Sequence, residues 1–246
     1  TTNNHFKSPY ITALQVIYKL LVHPFGGYWL AVLSVSFIIW LYTLLKDRIH
    51  PMLAGFLLFL FMCIPELFAY SYLVLYDYSN MVFFFGGFYF LAMYLGSYKT
   101  HQLLFSAFLF GIATYIRAET LVLVGMILPL LLWYLYKNKM AAKETLFKAA
   151  LFMAVPVFFY VLCVHVFVRL FVPVPFDVGG QMNHDLGNIS FFFTRIKEVQ
   201  TELIFSERAM RVYGYYVIIF YLVLVTDIVW QRNFSREAVI ILYGIA

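Results

Sequence analysis

The sequence predicts an all-α, polytopic transmembrane helix bundle of about seven to eight spans, with amphipathic interfacial helices on its outer face. Of the 246 residues, 64% are hydrophobic and 21% aromatic, only 12% are charged, and the mean hydropathy is +0.85. Soluble domains carry about 25% charged and about 45–50% apolar residues, and even a folded core of this length leaves much of the chain's surface exposed. The composition therefore argues against a soluble enzyme, a disordered tail and a nucleic-acid-binding module.

Long apolar runs, separated by short polar segments, predict where the chain crosses the bilayer. Each crossing takes about 20 mostly apolar residues. The run 102–136 is too long for one crossing, and we divide it at Arg117-Ala118-Glu119-Thr120, because an Arg or Glu in mid-bilayer costs about 2.5–3.5 kcal/mol. The predicted spans are 26–45, 51–70, 80–97, 102–118, 119–136, 149–171 and 212–230, with an eighth beginning near Val239.

The distribution of Lys and Arg predicts which loops face the cytoplasm. The short loops 71–79 and 116–119 contain one basic residue, Arg117, whereas the alternate set of loops is rich in Lys and Arg. That basic set comprises Lys46, Arg48, Lys99, Lys137, Lys139, Lys143, Lys148, Arg232 and Arg236. We therefore expect the basic loops to be cytoplasmic and the others to face the periplasm or a lumen. The net charge of +5 then follows from topology and does not indicate a nucleic-acid partner.

Two amphipathic helices are predicted in the outer segments 1–25 and 172–211. The first begins at Ser8-Pro9, where an N-cap residue precedes a proline at the first helical position. The second covers 190–206, where apolar and charged side chains recur on opposite faces at helical spacing. Helices of this kind lie among the lipid headgroups and anchor the loops that contain them.

Charged residues are absent from the middles of the predicted spans and gather near their ends. An ion-coupled transporter usually needs a charged group near the midplane, so this pattern argues against one. Asp77 directly precedes a span, Arg117 and Glu119 mark an outer turn, and Glu66 follows Pro65 late in its helix. We therefore expect any chemistry to take place at the outer membrane–water interface.

Each of these four side chains has a structural and a chemical interpretation. Asp77 is either an acid favoured by a helix dipole or a general base for an acceptor hydroxyl or amine. Glu66 is either a polar helix end or a second acid in the same cavity. Arg117 is either a snorkelling interface residue or a clamp on a lipid-linked phosphate, for which a guanidinium supplies a fork of donors. Glu119 would orient that guanidinium or offset its charge.

No cofactor is predicted, and a divalent metal ion is left open. His184-Asp185 follows Gly179-Gly180 in the outer segment and could form half of a metal site. Further ligands at a regular spacing are missing from the sequence around it, so the pair alone does not specify a metal centre.

Three short motifs follow one another along most of the chain. They are an outer helix from Ser8-Pro9-Tyr10 leading through His23-Pro24-Phe25-Gly26-Gly27 into a span, a span ending in Ile64-Pro65-Glu66 and followed by Asp77, and a helix that runs Phe110-Gly111-Ile112-Ala113-Thr114-Tyr115-Ile116-Arg117-Ala118-Glu119. Their order resembles the GT-C superfamily of integral-membrane glycosyltransferases, and most of all the protein O-mannosyltransferases and the lipid A aminoarabinose transferases.

This resemblance implies an inverting transferase that moves a sugar from a polyprenyl-phosphate donor to a lipid, glycan or protein acceptor on the periplasmic or lumenal side. Asp77 would match the family's second acidic site residue, and Arg117 its basic contact to the carrier phosphate. The family's principal catalytic Asp lies just after the first transmembrane helix, whereas no acid precedes Asp47 here. We therefore expect the chain either to be part of a longer protein, truncated at both ends, or to be an inactive relative.

Other functional classes stay open at this point. A transporter or flippase of lipid-linked sugars would share the outer Arg117 but is expected to carry paired intramembrane charges. A non-catalytic membrane subunit, an acyltransferase and a glycan polymerase are further alternatives. The compact loops favour a bacterial inner membrane over the endoplasmic reticulum.

Overall fold

The computed structural model describes residues 28–47, 49–63 and 76–167, together with isolated positions elsewhere in the chain. Two compact units divide the chain, one of Thr1–Val172 with Ala246 and one of Pro173–Ile245. The isolated positions are 16–17, 19–21, 194, 197–198, 201, 206, 218, 222 and 225. Positions 16–17 and 19–21 are helical. Most of the two predicted amphipathic helices and the last two predicted spans lie outside the described residues.

Six α-helices and no strands form the continuous described ranges. They are α1 (Trp29–Lys46), α2 (Pro51–Met62), α3 (Tyr76–Ser97), α4 (Thr100–Ile116), α5 (Thr120–Lys137) and α6 (Ala142–Tyr160), which continues as a π-helical segment, Val161–Phe167. Within these ranges, four helices are long and apolar enough to cross a membrane: α1, α3, α5, and α6 with its π-helical segment. The helices α2 and α4 are apolar but shorter. The all-helical, membrane-type fold is thus confirmed, whereas the total of seven to eight spans stays a prediction.

The helix borders follow the predicted spans closely, with one difference. The ends of α1, α3, α4 and α5 lie within four residues of the predicted ends. By contrast, α6 begins at Ala142 and not at 149. The reason is that Lys148 and Glu144, which resemble loop residues in the sequence, form an ion pair of 2.7 Å within the first turns of α6. The rest of the predicted span 51–70, beyond Cys63, lies outside the described residues.

The break between α4 and α5 falls at the predicted polar cluster. The last bond of α4 joins the backbone N–H of Arg117 to the carbonyl of Ala113 at 2.9 Å. The backbone N–H of Thr120 then donates to the carbonyl of Arg117 at 3.0 Å, which starts α5. Arg117 itself is extended, with φ −137° and ψ 115°. Beyond α5, Met140 lies 3.9 Å from Lys148, at the end of the unit where α4 begins, so α5 runs in the opposite direction to α4.

Glycines let α3, α4 and α6 pack closely. A Cβ atom built on Gly87 of α3 would lie 2.8 Å from the ring of Phe110 on α4, and one on Gly111 would lie 2.6 Å from Phe159 on α6. The hydroxyl of Ser106 on α4 also donates to the carbonyl of Gly87 at 2.8 Å. Only hydrogen occupies the Cβ position at these two crossings, so the backbones can approach each other.

The first helix packs beside α3 and runs parallel to it. The buried hydroxyl groups of Ser34 on α1 and Tyr78 on α3 are 2.9 Å apart. Further along both helices, the ring of Trp40 meets Phe85 and Tyr89 edge-on, with centroids 5.6 and 5.2 Å apart. This alignment places the start of α1 at the same end as the start of α3.

Lysines gather at one end of the six described helices. This basic end holds Lys46, Lys99, Lys137, Lys139, Lys143 and Lys148 together with the acids Asp47 and Glu144, and the opposite end, here called the Asp77 end, holds Asp77, Arg117 and Glu119. Between the two ends, the six described helices contain no Asp, Glu, Lys or Arg. By the rule that cytoplasmic loops carry an excess of Lys and Arg, the basic end is expected to be cytoplasmic and the Asp77 end to face outward.

Candidate functional site at the Asp77 end

Asp77 lies in the first turn of α3, where the helix dipole favours a negative side chain. Its side chain is 39% exposed, so the carboxylate borders the unit without being enclosed by it. This position agrees with the structural interpretation of Asp77 as a helix-terminal acid. It is equally compatible with a group that meets a molecule arriving from outside.

Arg117 contacts Asp77 directly, although the two residues are 40 positions apart in the sequence. The extended backbone of Arg117 ends α4, and its Nη1 lies 2.5 Å from Oδ1 of Asp77. The Arg117 side chain is 40% exposed. The two residues singled out in the sequence for a phosphate clamp and a general base therefore form one ion pair on one rim of the unit.

Glu119 lies close to the same guanidinium. It precedes α5 directly, and its Oε2 is 3.8 Å from Nε of Arg117. Glu119 is more exposed than its partners, with 68% of the side chain accessible. Arg117 thus lies near two carboxylates, and the formal charge of the three side chains together is −1.

A second polar contact lies next to the ion pair and was not predicted from the sequence. The hydroxyl of Thr120 donates to Oδ1 of Asn80 at 3.1 Å, and Thr120 is almost fully buried. Asn80 follows Asp77 by three residues, and Thr120 follows Arg117 by three. Only the first of these spacings lies within a helix, where it places Asp77 and Asn80 on the same face. Arg117 is extended and precedes α5, so the sequence alone does not pair Thr120 with Asn80. The contact joins the start of α5 to the first turns of α3.

Two other predicted features lie outside the described residues. Glu66, the candidate second acid, falls between the described ranges, and so does the pair His184-Asp185. Within the part of the chain that the structure describes, no three His, Cys, Asp or Glu side chains are grouped so that they could hold a metal ion. The described side chains of the Asp77 end therefore form an ion-pair site with a neighbouring hydrogen bond.

The basic end contains its own charged cluster, of a different character. The Nζ atom of Lys148 lies 2.7 Å from Glu144 and 5.7 Å from the centroid of the Tyr94 ring on α3. Only 9% of the Lys148 side chain is exposed. A pair at positions i and i+4 is a common helix-stabilising contact. This cluster holds the first turns of α6 against α3, and its ammonium group is enclosed and not presented to a ligand.

At the Asp77 end, the exposed groups suit a phosphate and a hydroxyl. A guanidinium binds phosphate oxygens through paired N–H donors, and a carboxylate can accept a proton from an attacking hydroxyl. Both groups are partly exposed, so they can be approached from the edge of the unit. Comparisons of the chain with protein-family models, with curated proteins and with solved structures found no match.

Proposed function

We propose that this protein is a membrane glycosyltransferase that moves a sugar from a polyprenyl-phosphate donor to a lipid, glycan or protein acceptor. One observation carries the proposal: Asp77 and Arg117 are in contact on one rim of a unit whose described helices have no charge between their ends. The chemistry of the pair suits a donor that has an apolar tail and an anionic headgroup.

In the proposed reaction, a hydroxyl of the acceptor attacks the anomeric carbon of the sugar. The hydroxyl proton passes to the carboxylate of Asp77, while a new carbon–oxygen bond forms on the acceptor. The bond between the anomeric carbon and the phosphate oxygen breaks, and the polyprenyl phosphate leaves with the electron pair. Attack and departure occur on opposite faces of the sugar, so the anomeric centre is inverted.

Arg117 would stabilise the departing phosphate. The phosphate oxygen gains negative charge as its bond to the sugar breaks, so a guanidinium beside it binds the transition state more strongly than the ground state. Glu119, 3.8 Å from Nε of Arg117, would limit the directions that the guanidinium can take. Glu66 is retained as a candidate second acid, and the reaction as written requires no cofactor.

The proposed site faces away from the cytoplasm. The positive-inside rule, applied to the six lysines of the basic end, supports this orientation. A bacterial inner membrane, with the site on its periplasmic face, is the proposed location, and membrane lipids are the expected surroundings of the apolar helix faces. The donor would then reach Arg117 from within the outer leaflet.

A flippase for lipid-linked sugars is the nearest alternative, because it would also bind a phosphate at Arg117. It would have to move a charged headgroup across the membrane, and polar or charged side chains along the path are typical of such proteins. The described helices hold charged side chains only near their ends, which favours a transferase that works at one face.

Sugar transfer by the full-length protein, reconstituted in vesicles with a polyprenyl-phosphate sugar, tests the proposal. We expect Asp77→Asn to lower the rate about 10²- to 10⁴-fold, as for loss of a general base, and Arg117→Gln to lower it about 10²- to 10³-fold. Asp47→Asn is the matched control. It makes the same acid-to-amide change at the basic end, directly after α1, and should keep the wild-type rate. Wild-type transfer by the Asp77 and Arg117 variants would contradict the proposal, as would movement of the lipid-linked sugar across the vesicle without transfer.

A further inference from the structure

Asp77 and Arg117, the two central residues of the candidate site, bind each other in the structure. Nη1 of Arg117 donates directly to Oδ1 of Asp77, and a hydrogen bond between two charged groups is charge-assisted. A guanidinium binds carboxylates and phosphates through the same N–H donors. A phosphate that reached Arg117 from the exposed side would therefore compete with the Asp77 carboxylate for these donors.

The backbone around the pair is held in place, so an exchange of partners needs only side-chain movement. Two main-chain hydrogen bonds, to Ala113 and from Thr120, fix both sides of Arg117. The Thr120 hydroxyl is bonded to Asn80, one helical turn from Asp77. By contrast, the side chains of Asp77 and Arg117 are 39% and 40% exposed, which leaves them room to turn.

The charges around Arg117 also favour replacement of Asp77 by a phosphate over addition of a phosphate to the intact ion pair. The trio of Asp77, Arg117 and Glu119 already has a formal charge of −1, so an anion added to the intact ion pair would meet net repulsion. If the phosphate instead takes the place of Asp77, it acquires the guanidinium contact and the Asp77 carboxylate turns away. Glu119, at 3.8 Å and largely exposed, can stay near Nε throughout.

We propose that the ion pair between Asp77 and Arg117 is the resting state of the site, and that a lipid-linked phosphate displaces Asp77 from Arg117. This inference rests on the proposed function and adds an order of events to it. The donor phosphate binds Arg117 first, and its arrival releases the Asp77 carboxylate to accept the proton of the acceptor hydroxyl. Before the donor binds, the carboxylate is held in the ion pair, which prevents it from activating water or acceptor without a sugar in place.

The exchange predicts that removing Asp77 strengthens phosphate binding, whereas a purely supporting role for Asp77 predicts the opposite. The probe is a short-chain polyprenyl phosphate, titrated into the full-length protein in detergent micelles, with the dissociation constant measured for each variant. A partly exposed ion pair is worth about 0.2–1 kcal/mol, so Asp77→Asn should bind the probe about 1.4- to 5-fold more tightly than wild type.

Matched variants distinguish competition by the Asp77 carboxylate for Arg117 from the general effect of removing one negative charge near the site. Glu119→Gln removes the same charge from the more distant carboxylate, 3.8 Å from Arg117 Nε, and should tighten binding less than Asp77→Asn does. Asp77→Glu keeps a carboxylate that can compete and should bind close to wild type. If Asp77→Asn folds poorly, as judged by its thermal transition, Asp77→Ser removes the carboxylate in its place and carries the same expectation.

Arg117→Gln distinguishes failure of the exchange from failure of the proposed function. If Arg117→Gln abolishes binding while Asp77→Asn binds no more tightly than wild type, the exchange is wrong and the phosphate role of Arg117 stands. If Arg117→Gln binds the probe as well as wild type does, the phosphate role itself is wrong, and the exchange falls with it. Tighter binding by Asp77→Asn together with loss of binding by Arg117→Gln supports both.

Discussion

Gly87 gives a quantitative test of the packing that brings the candidate site together. The hydrogen that stands in place of its side chain faces the ring of Phe110, and a Cβ atom built there would lie 2.8 Å from two ring carbons. Phe110 is fully buried and meets Phe84 and Phe152 edge-on, with centroids 5.2 and 5.8 Å apart. Because the ring is enclosed on these sides, Gly87→Ala must push α3 away from α4.

The expected cost follows from a comparison with a glycine that has free space. A Cβ atom on Gly125 of α5 would have nothing within 4 Å. Both replacements gain the same helix propensity, about 1 kcal/mol, so this term cancels when the two variants are compared. Overpacking a tight core costs about 1–3 kcal/mol. We therefore expect Gly87→Ala to be less stable than Gly125→Ala by about 1–3 kcal/mol.

Unfolding by sodium dodecyl sulfate in mixed micelles, followed by circular dichroism, measures the free energy of unfolding of both variants. Gly125→Ala should equal or exceed wild type, and Gly87→Ala should fall below it. If Gly87→Ala is as stable as Gly125→Ala, the close approach of α3 and α4 at this crossing is not a constraint on the fold. The placement of Asp77 against Arg117, which depends on that crossing, would then lose its physical explanation.

Three further outcomes are expected. Thr120→Val removes the hydroxyl that binds Asn80 and should lower the free energy of unfolding by about 1 kcal/mol; an unchanged value would mean that the contact does not hold α5 to α3. Lys139 has a left-handed backbone, with φ 55°, so Lys139→Gly should raise the free energy of unfolding by about 1 kcal/mol. The thermal midpoint should rise with it, and a lower midpoint would contradict this. A cysteine at position 119 should react with an impermeant maleimide from outside the cell, and one at 139 only after the cytoplasmic face is opened; the reverse pattern would invert the orientation.

The helix borders could be predicted because each depends on a local cost. Dividing the run 102–136 at Arg117 rests on the price of charge in hydrocarbon, and the structure ends α4 at Ile116 and starts α5 at Thr120. The placement of Asp77 and Arg117 at one end follows from short connections, since consecutive helices that each span the membrane and are joined by a few residues alternate in direction. These inferences require no knowledge of side-chain packing.

The direct contact between Asp77 and Arg117 could not be derived in the same way. It depends on how far α3 and α4 are rotated about their axes, and this rotation is set where Gly87 meets Phe110. The sequence predicts the start of this span at residue 149, seven residues after α6 begins at Ala142, for a related reason. Lys148 is charged, and its burial in a helix is favourable because of the ion pair with Glu144 and the contact with the Tyr94 ring.

A double-mutant cycle on the rate of sugar transfer tests most directly the claim that Asp77 and Arg117 act on one polyprenyl-phosphate sugar. The rate is measured for wild type, Asp77→Asn, Arg117→Gln and the double variant, in the full-length protein under saturating acceptor. Residues that act as a unit lose activity non-additively, so we predict that the double variant is about as slow as the slower single variant. Fully additive losses, or wild-type rates in either single variant, would contradict the account.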